Sequence, residues 1–200
     1  MIRLRQFALS LAACGALLAC VSSPPTRYYT LSEITPEATA STAAAGGAGA
    51  ASGAIRVRLE PVAIPAELDR PQLVHHSGPN QVHISDQDHW AAPLDDQIRH
   101  TLSDDLSARL PAGLVADPNE PSTREPRRTL SVSIGQFTAD ASCALTLKAS
   151  WSLQSAHASA QNGEERIQQP SAGACPASLP AAMSRALAIL ADRLATVVTR

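Results

Sequence analysis

The sequence predicts an α/β fold of α+β type, a single mixed, largely antiparallel sheet with two main helices in the order β-hairpin, α, β-meander, α. Three observations predict it. Apolar residues recur at every second position in 55–59, 130–134 and 143–153, the period of a strand with one buried face. They recur every three or four positions in 94–110 and 183–198, the stripe of a helix buried along one side. With only two such helices, covering one face of one sheet is the economical arrangement.

Ile55, Val57 and Leu59 alternate with Arg56, Arg58 and Glu60, a strand that ends near Pro61. Gln72–His76 and Gln81–Ser85 flank Ser77-Gly78-Pro79-Asn80, whose turn composition predicts a hairpin. A helix enters at Pro93 with Leu94, Ile98, Leu102, Leu106 and Leu110 on its buried side, and Pro111 and Gly113 end it. Asp95 and Asp96 occupy its first turn, where the macrodipole favours them, and Asp95/Arg99 and Asp105/Arg109 are i,i+4 pairs. Leu114-Val115 reads as a short buried strand, and 117–128 as a charged, proline-interrupted loop.

In the meander, Leu130, Val132 and Ile134 alternate up to Gly135, after which Phe137 has changed parity, as a bulge requires. Cys143, Leu145, Leu147, Ala149, Trp151 and Leu153 form the cleanest alternation of the chain. Asn162-Gly163 predicts a tight hairpin turn leading into Glu164–Gln169. The last helix is expected to be capped by Ser178, with Met183, Leu187, Leu190, Leu194 and Val197/Val198 on one stripe and Arg185, Asp192 and Arg193 off it.

Composition bounds the function. The 200 residues carry 18 acidic and 16 basic side chains, a net charge of −2 that supplies no general basic field for nucleic acid. No apolar run reaches the ~18 residues of a standard membrane-spanning helix. The N-terminus has another character. Arg3 and Arg5 precede Phe7–Ala19, apolar or small apart from Ser10, which is a signal-peptide pattern. It ends Leu17-Leu18-Ala19-Cys20, which resembles a bacterial lipobox, so residues 1–19 are read as a signal peptide and Cys20 as the acylated first residue of the mature chain. Leu11-Ala12-Ala13-Cys14 fits the same pattern but leaves only Phe7–Ala13 as the apolar stretch.

Several acyl chains, at roughly 0.8 kcal/mol per buried methylene, anchor stably where one is marginal. Val21 rather than Asp follows Cys20, which implies sorting to the outer membrane. Losing Arg3 and Arg5 takes the charge from −2 to −4, so attachment falls to the acyl chains. Residues 20–54 form the lipidated N-terminus and flexible lead, with a short β-prone island at Tyr28-Tyr29-Thr30-Leu31. From Thr35 the lead is almost entirely Ala, Gly, Ser and Thr. Residues 55–200 form the globular domain.

After export, Cys143 and Cys175 are an even pair in an oxidising compartment. A disulfide between them would close a loop of about 33 residues and contribute roughly 3–4 kcal/mol, pinning the last helix to the sheet; free thiols are the other possibility. His75, His76, His83 and His89 crowd together with Asp86 and Asp88. His75 and His76 point to opposite faces of a strand and nothing repeats the i,i+4 spacing of a helical metal pair, so a polar surface hairpin is the reading. Asp86/Asp88 and Asp95/Asp96 suit capping and dipole roles near a helix start. There is no Gly-x-Ser-x-Gly, phosphate-binding loop or dinucleotide fingerprint, so no catalytic residue, metal or cofactor is expected.

One set of residues points further. Cys20, Tyr28-Tyr29-Thr30-Leu31, Val57-Arg58-Leu59-Glu60-Pro61-Val62-Ala63-Ile64-Pro65, Leu68-Asp69-Arg70-Pro71-Gln72-Leu73-Val74, Asn80-Gln81-Val82 and Trp90-Ala91-Ala92-Pro93-Leu94 together resemble the PqiC (YmbA) family, the ABC-type transport auxiliary lipoproteins. The resemblance runs through most of the mature chain, and 68–94 is its specific part. It implies a non-catalytic lipoprotein on the periplasmic face of the outer membrane that docks onto an MCE-type lipid-transport protein. The inner-membrane component would be an ABC permease or a PqiA-like protein. A lipoprotein that assists assembly of an outer-membrane complex is the alternative, and a homo-oligomer is compatible with both. Within the resemblance, Leu68, Asp69, Arg70, Pro71 and Gln72 combine a proline-braced turn with charge, and Trp90 is one of two tryptophans. These six are the expected partner-binding residues.

Overall fold

The computed structural model describes residues 24–36, 56–117, 128–155 and 158–199; the expected signal peptide, Cys20, most of the lead and the centre of the charged loop lie outside them. The meander forms as its alternation requires. Strand β5 (Arg128–Ala139) pairs antiparallel with β6 (Leu145–Ser155), and β6 with β7 (Ala158–Gln169). Leu130, Val132 and Ile134 bury one face of β5, the register slips between Ile134 and Gln136, and Phe137 returns to the core at 1% exposure. Gly135 therefore sits where the parity change places a bulge.

The expected single sheet is replaced by two. Strands β1 (Arg27–Tyr29), β4 (Gln81–Trp90) and β3 (Gln72–Gly78) form a three-stranded mixed sheet in the order β1-β4-β3. Strand β2 (Val57–Leu59) joins the meander in a four-stranded mixed sheet ordered β2-β5-β6-β7. The reason lies at the free edge of β5. β2 runs parallel to it, and the chain continues alongside through Glu60 N–H to the Leu130 carbonyl (3.0 Å) and Ile134 N–H to the Ala63 carbonyl (2.8 Å). With β6 on its other edge, β5 has no ladder left for the hairpin. Val115 bridges the far side of Val57, so Leu114-Val115 contributes a bridge rather than a strand.

Asn162-Gly163 is not a turn. Both residues lie inside β7, with Gly163 directly opposite Trp151 on β6, and the pairing of the two strands already begins at Ser155 with Ala158. A Cβ on Gly163 would meet the Trp151 indole at 2.6 Å, so the glycine is where an aromatic ring crosses the neighbouring strand.

Helix α1 (Leu94–Ser107) starts after Pro93 and buries Leu94, Ile98, Leu102 and Leu106, with Leu110 buried just past its end. Arg109 lies 3.4 Å from Asp105 as the spacing predicts, whereas Arg99 lies 3.7 Å from Asp96, three residues away. Helix α2 (Leu179–Val198) packs on β6, β7 and α1 and buries Met183, Leu187, Leu190, Leu194 and Val198. Its C-terminal carbonyl at Val198 accepts from Arg128 Nη1 at 2.6 Å, a cation at the negative end of the dipole. Ser178 does hold the N-cap position, but its backbone is helical (φ −88°, ψ −10°) and its hydroxyl donates to the Gly173 and Ala174 carbonyls. A capping bond needs an extended residue there, so no helix N–H is capped by this side chain.

Residues 31–34 cross the two helices as a strap. Leu31 N–H donates to Gln97 Oε1 (2.9 Å) and Ile34 N–H to Asp105 Oδ1 (2.8 Å), both on α1. Between them Ser32 N–H donates to Ser184 Oγ on α2 (3.1 Å). Three side-chain acceptors thus satisfy backbone donors that no strand neighbour reaches.

Candidate partner-docking site

The segment before β3 folds back twice, through Leu68 N–H to the Pro65 carbonyl (2.9 Å) and Arg70 N–H to the Leu68 carbonyl (2.8 Å). Leu68 plugs into the core at 4% exposure, and this turns the exposed Asp69 outward. The Pro71 carbonyl then accepts Trp90 N–H at 2.6 Å, and Ala91 N–H donates to the Tyr29 carbonyl at 2.8 Å. Trp90 is held between β1 and the start of β3, with its ring almost buried at 6% exposure. Gln97 locks the corner that follows, donating from Nε2 to the Ala92 carbonyl (2.7 Å) while its Oε1 holds Leu31.

The result is a cleft of about 330 Å³ lined by Asp69, Arg70, Pro71, Trp90, Ala92, Pro93 and Leu94. Four of the six residues singled out in the sequence meet there. The other two do not: Leu68 lies in the core, and Gln72 is half-buried in register with His89. Ala92, Pro93 and Leu94 complete the wall; they belong to the Trp90–Leu94 motif of the resemblance but are not among the expected partner-binding residues. The walls are apolar, with one carboxylate and one guanidinium at the rim. Arg70 Nε is buried without a hydrogen-bond partner among the described residues. The side chains of the lining offer no hydroxyl, thiol or imidazole, so its chemistry is shape recognition with one carboxylate and one guanidinium.

Beside the cleft, Asp88 is 2% exposed and accepts from Arg27 Nε (2.7 Å), Arg27 Nη2 (2.9 Å) and Ser85 Oγ (2.6 Å). Burial pushes its carboxyl up, but the hydrogen bonds from Arg27, Ser85 and Tyr29 outweigh it and hold the group below the usual carboxylate range. This pairing fixes β1 against β4.

The histidines are distributed along the hairpin. His75 stands opposite His83 with ring centroids 4.8 Å apart, and burial first, then the neighbouring His83 and His76, hold His75 below the ordinary imidazole value. No group of three or more potential metal ligands occurs among the described residues. A larger cleft of about 580 Å³ separates the hairpin turn at Gly78 and Pro79 from the β5–β6 turn, where Asp140 is occupied by Ser142 and Ala144 of its own loop. Cys143 and Cys175 are joined as a disulfide, with Cα atoms 5.7 Å apart, linking that turn to the segment before α2. Cys143 precedes β6 rather than starting it, and its φ is 66°.

Comparison with known proteins returns one family model, ABC-type transport auxiliary lipoprotein component, matching residues 29–195. The intermembrane transport lipoproteins PqiC of Escherichia coli K12 and of Shigella flexneri are each 33% identical over 79 residues, 40% of this chain and 41% of theirs. The alignment thus spans less than half of those relatives' length. Among solved structures, an uncharacterised protein superposes with a TM-score of 0.69 at 20% identity, covering 88% of this chain and 99% of that one. A protein from Xanthomonas campestris gives 0.64 at 15% identity, covering 85% and 93%. These two share the fold.

Proposed function

The chain belongs to the family of ABC-type transport auxiliary lipoprotein components, and we propose that it is a lipid-anchored, non-catalytic subunit of a system that moves lipid between the inner and outer membranes. Acylated at Cys20 and held at the periplasmic face of the outer membrane, it docks onto an MCE-type protein that carries the lipid. The PqiC relatives are intermembrane transport lipoproteins, which supports this reading. One structural observation carries it: the two ends of the segment with the most specific resemblance fold together into the Trp90 cleft, an apolar pocket with the Asp69 carboxylate and the Arg70 guanidinium in its lining. Interfaces favour buried aromatic and Arg anchors of this kind. Tethering also confines the domain to a thin layer at the membrane, which raises the effective concentration of a partner reaching across the periplasm.

Co-purification from crosslinked membranes tests it, comparing the wild-type chain with Arg70→Glu. Recovery of an MCE-domain protein with the wild type and its loss with Arg70→Glu, at equal expression, is the expected result. Recovery of an outer-membrane β-barrel instead would replace the reading with an assembly role. Cys20→Ala is expected to release the protein from the membrane fraction, and unchanged fractionation would remove the anchor.

A further inference from the structure

We propose that the β3–β4 hairpin end of the domain rests on the lipid surface that holds the acyl anchor, with Val82 and Ile84 meeting the headgroup boundary and the Trp90 cleft facing away from it. This orientation rests on acylation of Cys20.

Length and direction both place the anchor near the hairpin turn. β1 runs parallel to β4, with Arg27 in register with Asp88 and Tyr29 with Trp90. The chain N-terminal to Arg27 therefore leaves the sheet towards the hairpin turn and away from Trp90. Seven residues separate Cys20 from Arg27, and an extended chain of that length spans at most ~25 Å. The same number separates Gln81 from Asp88 along β4. A straight leash thus reaches about as far as the hairpin turn, and the lipid surface cannot lie much beyond it.

Among the described residues the exposed large hydrophobics are Tyr28, Val82 and Ile84, at 67%, 42% and 41% exposure. Val82 and Ile84 lie at the hairpin end of β4, whereas Tyr28, in register with His89, lies at the Trp90 end. Residues 72–85 contain no Asp, Glu, Lys or Arg, so the hairpin approaches lipid without stripping water from a charge. Asp88, the nearest buried carboxylate, is already neutralised by Arg27. Apolar side chains on a polar, uncharged hairpin match an interfacial position better than a membrane-spanning one. Trp90 ends the ten-residue β4, on the order of 30 Å from the turn, so the cleft opens where a partner from the periplasm arrives.

Site-specific labelling of the acylated full chain tests the orientation. Cys20 is blocked by its acyl chains and Cys143 and Cys175 by their disulfide, so a new thiol takes an environment-sensitive fluorophore alone. Val82→Cys, Ile84→Cys and Asn80→Cys report the hairpin end, and Ala92→Cys reports the cleft; all four positions are exposed. In phosphatidylethanolamine/phosphatidylglycerol vesicles, labels at 80, 82 and 84 are expected to shift to the blue and to be quenched several-fold by brominated acyl chains, while the label at 92 does neither. Hairpin labels that stay water-exposed on vesicle-bound protein overturn the proposal. So do labels that shift without lipid quenching, since a second copy of the chain then covers them. Failure of the protein to float with vesicles overturns the anchor itself and the orientation with it.

Discussion

The Arg27 guanidinium grips Asp88 with two parallel hydrogen bonds, 2.7 Å from Nε and 2.9 Å from Nη2, across 61 residues of sequence. Asp88 is buried and Arg27 is half in water, so the pair is a solvated cation closing over a desolvated anion. It joins the segment that follows the expected anchor to the strand that carries Trp90. Bidentate geometry of this kind fixes orientation as well as distance, which turns β1 from a stretch of lead into an edge strand.

The pH dependence follows from the direction of the Asp88 shift. Its carboxyl is held below the ordinary range in the folded protein, so the pairing contributes its full stability above the ordinary carboxyl value, near pH ~4. That contribution is lost as pH falls through the ordinary value towards the lower folded one. Asp88→Asn should lower the denaturation midpoint at neutral pH, and the gap to wild type should close on acidification. A gap of constant size down to low pH would show that the carboxylate charge is not what matters.

The disulfide acts at the other side of the fold, between the β5–β6 turn and the entry to α2. With 32 residues of sequence separation, chain entropy gives it about 3–4 kcal/mol. Chemical denaturation of the Cys143→Ser/Cys175→Ser variant should show a loss of that order, and reductant should reproduce the loss in the wild type alone. A reductant-insensitive midpoint would mean the thiols are free in the purified protein.

Periodicity carried the buried faces. The stripes of both helices and the Gly135 parity change are visible in the sequence because each element buries one side of itself, and a shifted core residue such as Phe137 needs an inserted one. Edges left no such trace: nothing in the spacing of Val57 and Leu59 says that β2 claims the open side of β5 and thereby divides one sheet into two. The strap was hidden because Gln97, Asp105 and Ser184 are polar residues on helices, and only their backbone partners in 31–34 explain their burial. Four cleft residues stood out through charge, a proline-braced turn or a rare tryptophan, whereas Ala92, Pro93 and Leu94, although part of the same resemblance, carry small or apolar side chains that read locally as a helix entry.

Asp105 offers a test of the strap. Burial raises its carboxyl above the ordinary range, against the lowering by the Ile34 N–H and Arg109. A raised folded value means stability is greatest below the ordinary carboxyl value and is lost as pH rises through it to the higher folded one, the opposite sign to Asp88. Asp105→Asn keeps an oxygen for Ile34 and should remove that slope. Asp105→Ala orphans the Ile34 amide, at a cost of about 1–2 kcal/mol, and should speed hydrogen exchange across 31–34. Equal exchange in the two variants would show that the strap does not depend on this acceptor.

The contact of Trp151 with Gly163 makes the sharpest packing prediction. A methyl group at 163 would sit 2.6 Å from Cζ2 and 2.9 Å from Cε2 of the indole, and a rigid ring lying across the neighbouring strand cannot give way as a flexible chain end can. Gly163→Ala should therefore cost about 1–3 kcal/mol by overpacking, and should move the tryptophan emission as the ring is displaced towards water. Trp151→Leu leaves room for the new Cβ, so the double variant should lose less than the sum of the two single ones. The coupling in that double-mutant cycle isolates the steric term from the lost burial of the indole. Additive losses would mean that the ring already stands clear of the glycine in solution, and that Gly163 serves β7 only through its backbone.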